Sequence, residues 1–256
     1  MREINIPNYL IDSFRTLYLA GSYVEGFNTT TSDIDIYEIC KDEHPKADRV
    51  WDYRKIQDIH DNGIHYEIEL IPEKHISDLK KKVECSIKEL DDNNFILSFH
   101  EFQMIWDIII GVPIGDKTSF REYQTYFLEK KNQISILLVK QNGLFVRNAY
   151  EDILGLMQAD DYFSAYFRSI DLLNRTADLL IAFNEILNTK TKWRYKKLGQ
   201  AGLYTFQKKY YTFFAEKVIR SQIFIEEIIQ FCHKEISKLG INKDAQEWID
   251  LTKYYG

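Results

Sequence analysis

Hydrophobic residues in the first part of the chain follow the two-residue period of β-strands. The alternation is cleanest over residues 64–71, where apolar residues share one face and His65, Glu67 and Glu69 share the other. The pattern over residues 49–60 does not decide between helix and strand. The predicted strands are 16–20, 34–39 and 64–71.

The rest of the chain follows the helical period. Apolar residues recur at helical spacing from Glu73 onward, and strand patterns are almost absent after residue 95. Two aromatic clusters, 162–167 and 210–214, have helical spacing and are expected in a core. The predicted helices are 73–90, 95–110, 118–140, 148–158, 160–188, 203–218, 219–239 and 243–254.

The turn GVPIGD at residues 111–116 separates the two patterns. It predicts a boundary between one domain of residues 1–112 and a second of residues 113–256. The predicted fold class is therefore α+β, with a small mixed-sheet domain followed by an all-helical domain.

Charge is distributed unevenly between the two parts. Residues 1–114 hold 22 acidic and 12 basic side chains, for a net charge of −10, and residues 115–256 hold 17 and 21, for +4. An acidic first part suits a cation site, and a mildly basic second part suits a polyphosphate. Neither part is basic enough to indicate tight nucleic-acid binding by charge alone.

Cysteine spacing and the N-terminal sequence bear on the cellular compartment. Cys40, Cys85 and Cys232 are far apart and form no CxxC pair, which argues against a disulfide framework or a thiolate zinc site. The N-terminal residues do not resemble a signal peptide, and no apolar run has the length of a membrane span. We expect a cytoplasmic protein without a membrane partner.

The segment from Leu19 to Ile39 contains the residues that indicate chemistry. Asp33 and Asp35 are two apart on a predicted strand, so both side chains point to one face. Two neighbouring carboxylates repel each other unless a cation lies between them, and hard oxygen ligands suit Mg²⁺. Gly21 and Ser22 end the preceding strand in a turn whose N–H groups could bind a phosphate. Together these residues predict a metal-assisted phosphate site.

A third carboxylate would complete such a site. Glu67 and Glu69 both lie on the polar face of the strand over residues 64–71, and the pattern leaves both open. Candidates for a base that activates an acceptor are more numerous. They are Glu101, Asp107, Glu122, Asp171 and Asp178.

The order Gly-Ser, then Asp-x-Asp on a strand, then a later acidic residue resembles the polymerase-β-type nucleotidyltransferase superfamily. The resemblance implies that Gly21 and Ser22 bind the triphosphate. It implies that Asp33, Asp35 and the third carboxylate bind two Mg²⁺ ions. The frame ELIP at 69–72 is similar to the superfamily's acidic-apolar-apolar-Pro frame and favours Glu69, although Glu67 stands two residues earlier on the same face.

The two-domain plan is similar to that of nucleotidyltransferases that modify aminoglycoside and lincosamide antibiotics. In several of these a Lys-Trp element of the helical domain contacts the nucleotide phosphates. The segment KTKWRYKK at 190–197 looks like that element and would place Lys192 on the triphosphate. A solvated helix start with a packed Trp is the alternative interpretation of this segment. A homodimer with a shared site is implied by the resemblance alone.

The resemblance implies a Mg²⁺-dependent nucleotidyltransferase. The enzyme would transfer a nucleoside monophosphate, AMP from ATP in the first interpretation, to a hydroxyl of a small molecule such as an antibiotic. A tRNA or protein acceptor is the alternative within the enzyme class. A nucleotide-binding regulatory module without turnover is the alternative outside it.

Overall fold

The computed structural model describes residues 6–7, 16–41, 48–51, 54–89, 97–215 and 222–240. The chain divides into two compact units, Met1–Lys131 and Asn132–Gly256. This division falls later in the chain than the turn at residues 111–116, and the domain boundary after residue 112 stays a prediction.

The first unit contains a six-stranded sheet with the strand order β3-β4-β5-β2-β1-β6. The central pair β2 and β5 is parallel, and the other neighbours are antiparallel. The undecided segment 49–60 provides two strands that extend one edge of the sheet. The strands are β1 (Thr16–Leu19), β2 (Ile34–Cys40), β3 (Arg49–Trp51), β4 (Arg54–Asp61), β5 (Ile64–Pro72) and β6 (Val112–Pro113).

Helices make up most of the remaining described chain, which confirms the predicted α+β class. None of the helices in the described ranges combines the length and apolarity needed to cross a membrane. The helices are α1 (Gly21–Val24), α2 (Glu73–Lys88), α3 (Phe99–Ile110), α4 (Lys117–Glu129), α5 (Lys131–Gln158), α6 (Tyr162–Phe183), α7 (Arg194–Gln200), α8 (Tyr204–Ala215) and α9 (Gln222–Ser237), with a 3₁₀ turn at Thr191–Trp193.

The predicted helix boundaries differ from the structure around residue 130. The segment predicted over 118–140 is divided at Lys130, and α5 then continues without a break through the predicted gap at 141–147. Ile134, Leu138 and Val146 keep helical spacing and are buried, so packing holds the helix across this gap. The helix predicted over 243–254 lies outside the described residues.

The two faces of the central strands of the sheet have different neighbours. One face carries Ile34 and Ile36 of β2 with Ile68 of β5, and these belong to one buried cluster. On the other face the Tyr18 ring of β1 stacks on Tyr37 of β2 at a centroid distance of 5.1 Å and on Phe120 of α4 at 4.5 Å. Aromatic packing thus covers this second face at Tyr37, two residues beyond Asp35.

The second unit is built around a helical core in which α5, α6, α8 and α9 bury one face each. The expectation that both aromatic clusters are core is only half right. Tyr210 and Phe213 are buried, whereas Phe163, Phe167, Tyr211 and Phe214 are exposed. Helical spacing alone does not distinguish the buried half of such a cluster from the half that faces solvent.

Candidate functional site

The polar face of the sheet brings together carboxylates from two parallel strands. Asp35 lies on β2, and Asp33 comes directly before that strand; both are half-buried. In the β2–β5 register Asp35 is opposite Glu67, and Tyr37 is opposite Glu69. The predicted carboxylates are therefore neighbours across one strand pair, at the point where aromatic packing begins.

Gly21 lies directly against the carboxylate of Asp35. Its φ of +68° belongs to the left-handed region that favours glycine, and a Cβ built there would lie 2.1 Å from Asp35 Oδ2. The backbone N–H of Ala20 also donates to the Asp35 carbonyl at 3.3 Å. The turn after β1 and the Asp-x-Asp strand therefore form one local structure, in which only glycine fits.

The loop between α1 and β2 is held by backbone hydrogen bonds. The Ser22 carbonyl accepts from the N–H groups of Phe27 at 2.8 Å and Asn28 at 3.1 Å. The Tyr23 hydroxyl donates to the Ser32 carbonyl at 3.3 Å, next to Asp33. Ser22 itself is buried, and because it lies in the first turn of α1 its N–H has no acceptor within that helix.

Glu67 is engaged by an arginine that the sequence patterns did not identify. Arg49 Nη2 donates to Glu67 Oε2 at 2.7 Å, and Arg49 also makes two hydrogen bonds of 2.7 Å with Asp58. These hydrogen bonds raise the pKa of Arg49 above its ordinary value and lower the pKa of Asp58. Arg49 lies in the segment that the pattern left undecided, so its position followed from no sequence signal.

His65 belongs to the same network. Its Nε2 lies 2.9 Å from Asp58 Oδ1, and its ring stacks on His60 at a centroid distance of 4.5 Å. Asp58 therefore lies between Arg49 and His65. These three side chains occupy the polar face of β4 and β5 next to Glu67.

Glu69 is buried beside Tyr37. Only 6% of Glu69 is exposed. Burial, with the charges of Asp107, Asp35 and Glu69, raises the pKa of Tyr37 well above its ordinary value, so its hydroxyl stays protonated and donates to Asp107 Oδ2 at 3.4 Å. Strand alternation from Asp33 through Asp35 reaches Tyr37, and that signal could have identified it as part of the same face.

The chemistry of these donors fits a magnesium ion that is shared with a substrate. Within the described ranges, no three His, Cys, Asp or Glu side chains form a group that could hold a metal ion. Mg²⁺ is usually held by one or two carboxylates together with substrate phosphate oxygens and waters, so it needs no site made of protein alone. Asp33 and Asp35 could supply such carboxylates.

Lys192 lies in the 3₁₀ turn of the second unit and is exposed. Its ammonium lies 5.2 Å from the centroid of the Trp193 ring, and that of Lys196 lies 4.6 Å from it. The half-buried Trp193 agrees with the interpretation of a packed Trp at a helix start. A phosphate contact by Lys192 stays a prediction.

Most of the candidate acceptor bases have structural partners. Glu101 forms the capping box of α3 with Ser98 and accepts from Lys82 at 2.6 Å. Asp178 makes two hydrogen bonds with Arg194, and Asp171 pairs with Arg168. Because these carboxylates already have structural partners, they are weaker candidates for the base that activates the acceptor, and no single base is identified.

Comparison with known proteins finds a family match within the first unit. Residues 12–91 match the family model described as nucleotidyltransferase domain, which confirms the predicted superfamily. No curated protein sequence matches the chain. A solved structure, that of a nucleotidyltransferase-like protein from Exiguobacterium sibiricum 255-15, is similar with a TM-score of 0.45 and 12% sequence identity, over 94% of this chain and 75% of that one.

Proposed function

We propose that this chain, whose residues 12–91 match the model of the nucleotidyltransferase domain family, transfers a nucleoside monophosphate from a nucleoside triphosphate to an acceptor hydroxyl. ATP is the first candidate donor, so that AMP is transferred and pyrophosphate is released. Two Mg²⁺ ions are the proposed metal cofactor.

The contact between Gly21 and Asp35 supports this proposal most directly. A turn that could bind phosphate and a carboxylate that could bind metal lie so close that no Cβ fits between them. A nucleotidyl transfer needs both groups at the same phosphate chain. This arrangement has a functional reason in that reaction, whereas a purely structural turn would not require a carboxylate against its glycine.

The proposed reaction is an in-line displacement at the α-phosphorus. The acceptor oxygen forms the new P–O bond while the bond to the bridging oxygen of the β-phosphate breaks, and that oxygen leaves on pyrophosphate. The acceptor proton passes to a carboxylate of this face or to solvent. Gly21 and Ser22 would hold the β- and γ-phosphates through backbone N–H groups.

Asp33 and Asp35 would hold the metal, with Glu69 as the third carboxylate. When bound, Mg²⁺ offsets phosphate charge and assists deprotonation of the attacking hydroxyl. The frame ELIP at residues 69–72, which is similar to that of the superfamily, supports Glu69 over Glu67.

The first candidate acceptor is a small hydroxylated molecule such as an antibiotic, because the two-part plan resembles that of the antibiotic-modifying enzymes. A tRNA or a protein is the alternative acceptor. A homodimer with a shared site is proposed from the resemblance only.

Pyrophosphate release tests the proposal. We would measure it from each of the four NTPs with Mg²⁺, with aminoglycosides, lincosamides, bulk tRNA and cell lysate as acceptors. A variant with Asp33→Ala and Asp35→Ala serves as the blank. We expect acceptor-dependent release that is fastest with ATP. Nucleotide binding without release under any condition would instead support a regulatory module without turnover.

Lys192→Ala is expected to raise the KM for the triphosphate about tenfold with little change in kcat, since a charge-assisted contact contributes roughly 1.5–3 kcal/mol. Lys196→Ala is the matched control, because both ammonium groups lie over the Trp193 ring. Initial rates at varied nucleotide concentration measure both variants. Equal KM values in the two variants would remove Lys192 from the nucleotide site.

A further inference from the structure

A surface of the second unit combines lysines with exposed aromatic rings. Residues 186–215 contain seven basic residues and no Asp or Glu. Two of the basic residues are engaged inside the unit: Arg194 pairs with Asp178, and the buried Lys197 donates to the Asn188 carbonyl at 2.6 Å. The basic-aromatic surface consists of Lys192, Tyr195, Lys196, Tyr204, Lys208 and Tyr211, all exposed.

Two contacts join the α7 and α8 parts of this surface. Gln207 Nε2 donates to the Tyr195 carbonyl at 2.8 Å, which joins α7 to α8. The rings of Tyr195 and Tyr211 lie 6.1 Å apart, centroid to centroid. Tyr204, Lys208 and Tyr211 are spaced by four and three residues along α8 and therefore share one side of the helix. Exposed tyrosines and lysines thus occur on both helices, which meet at Tyr195 and Tyr211.

The aromatic rings are exposed to a degree that packing does not explain. Tyr204 is 68% exposed, Tyr211 61% and Tyr195 46%, whereas Phe206 and Phe213 of α8 are buried. The opposite side of α8 therefore provides the aromatic residues that pack in the core of this unit. The exposed rings remain available to a ligand.

We propose that the basic-aromatic surface binds single-stranded RNA. Unpaired bases stack on exposed aromatic rings, and lysines neutralise the phosphates between them. In a duplex the bases are stacked on one another and would not reach these rings. The tyrosine hydroxyls can also hydrogen-bond to the ribose 2′-hydroxyl, which favours RNA over DNA.

A second copy of the chain is a poorer occupant of this surface. A two-fold contact places the same residues of both copies opposite each other, and here it would bring two sets of lysines together. The small net charge of the second part of the chain does not contradict RNA binding, because the lysines are concentrated and the rings contribute stacking. The RNA interaction does not depend on the proposed transfer; if it is found, RNA becomes the first acceptor to test.

Fluorescence anisotropy of a labelled, mixed-sequence RNA of about 12 nucleotides, within the range of site sizes for single-strand binding, tests the proposal. The full chain is titrated in EDTA without nucleotide, so that failure of the transferase proposal leaves this measurement unaffected. We expect saturable binding that weakens with salt, and weaker binding of DNA of the same sequence and of double-stranded RNA. No binding at about 50 mM salt, where phosphate contacts are strong, or equal binding of the DNA strand, would overturn the proposal.

Two double variants, a test and its control, locate the RNA-binding surface. Tyr195→Ala with Tyr211→Ala is expected to weaken binding about tenfold or more, from the measured range of base stacking on aromatic side chains. Phe163→Ala with Phe167→Ala is its control, since it removes two exposed rings of the same unit outside the basic segment. An equal loss of RNA affinity in the two double variants would contradict the assignment of RNA binding to the basic-aromatic surface.

Salt dependence tests the lysines. Lys196→Gln with Lys208→Gln should reduce the slope of log K against log salt by about 0.7 for each phosphate that the protein no longer neutralises. Lys234→Gln on α9 is the control and should leave the slope unchanged. Melting temperatures confirm that the variants are folded. An unchanged slope in the double variant would exclude these lysines from the interface.

Discussion

Gly21→Ala is expected to lower kcat/KM for nucleotidyl transfer by about a hundredfold or more. The new Cβ would lie 2.1 Å from Asp35 Oδ2, so either the carboxylate or the turn must move. A displacement of about 1 Å in a reacting group can cost on the order of a hundredfold in rate. The measurement is the initial rate of pyrophosphate release with the acceptor that supports turnover.

Gly26→Ala is the matched control for this substitution. Gly26 also has a positive φ, +70°, yet a Cβ there would meet no atom within 4 Å. Both variants bear the backbone strain of a left-handed alanine, roughly 1–2 kcal/mol, but only Gly21→Ala displaces a carboxylate. Similar melting temperatures with a large difference in rate would assign the effect to Asp35. Full activity in Gly21→Ala would show that the contact with Asp35 serves no catalytic purpose.

The sequence predicted the polar face of the sheet because that face depends on local rules. Strand alternation places Asp33 with Asp35 and Glu67 with Glu69, and the β2–β5 register brings these pairs side by side. The sequence also predicted a turn at Gly21. It did not predict that the Asp35 side chain is the group that excludes a Cβ there, because Asp35 approaches Gly21 only after β1 and β2 have paired.

The partners of the carboxylates could not be predicted from local patterns. Arg49 reaches Glu67 through pairing of β3 with β4 and of β4 with β5, so its position depends on the register of two strand pairs. Tyr37 and Asp107 are 70 residues apart and meet because α3 brings Asp107 to that face of the sheet. Such contacts follow from tertiary packing, which residue spacing does not encode.

Glu69→Gln is expected to lower kcat/KM about a hundredfold, because loss of a carboxylate weakens the binding of an ion that contributes several kcal/mol to transition-state stabilisation. Glu67→Gln is expected to change it by less than about threefold. The two substitutions remove the same charge from the same face of β5, two residues apart, so each is the control for the other. The rate of pyrophosphate release at varied Mg²⁺ concentration measures both.

The comparison between the two glutamates is decisive because the geometry favours each for a different reason. Glu67 lies opposite Asp35 in the register, whereas Glu69 lies opposite Tyr37. The Arg49 side chain is 51% exposed, and an exposed ion pair contributes only about 0–1 kcal/mol, so a metal ion could take Glu67 from it. A large loss in Glu67→Gln alone would move the third carboxylate to Glu67 and make Arg49 a competitor of the metal ion for that carboxylate. A large loss in Glu69→Gln alone would assign the buried carboxylate beside Tyr37 to the metal and leave Glu67 as part of the Arg49 network.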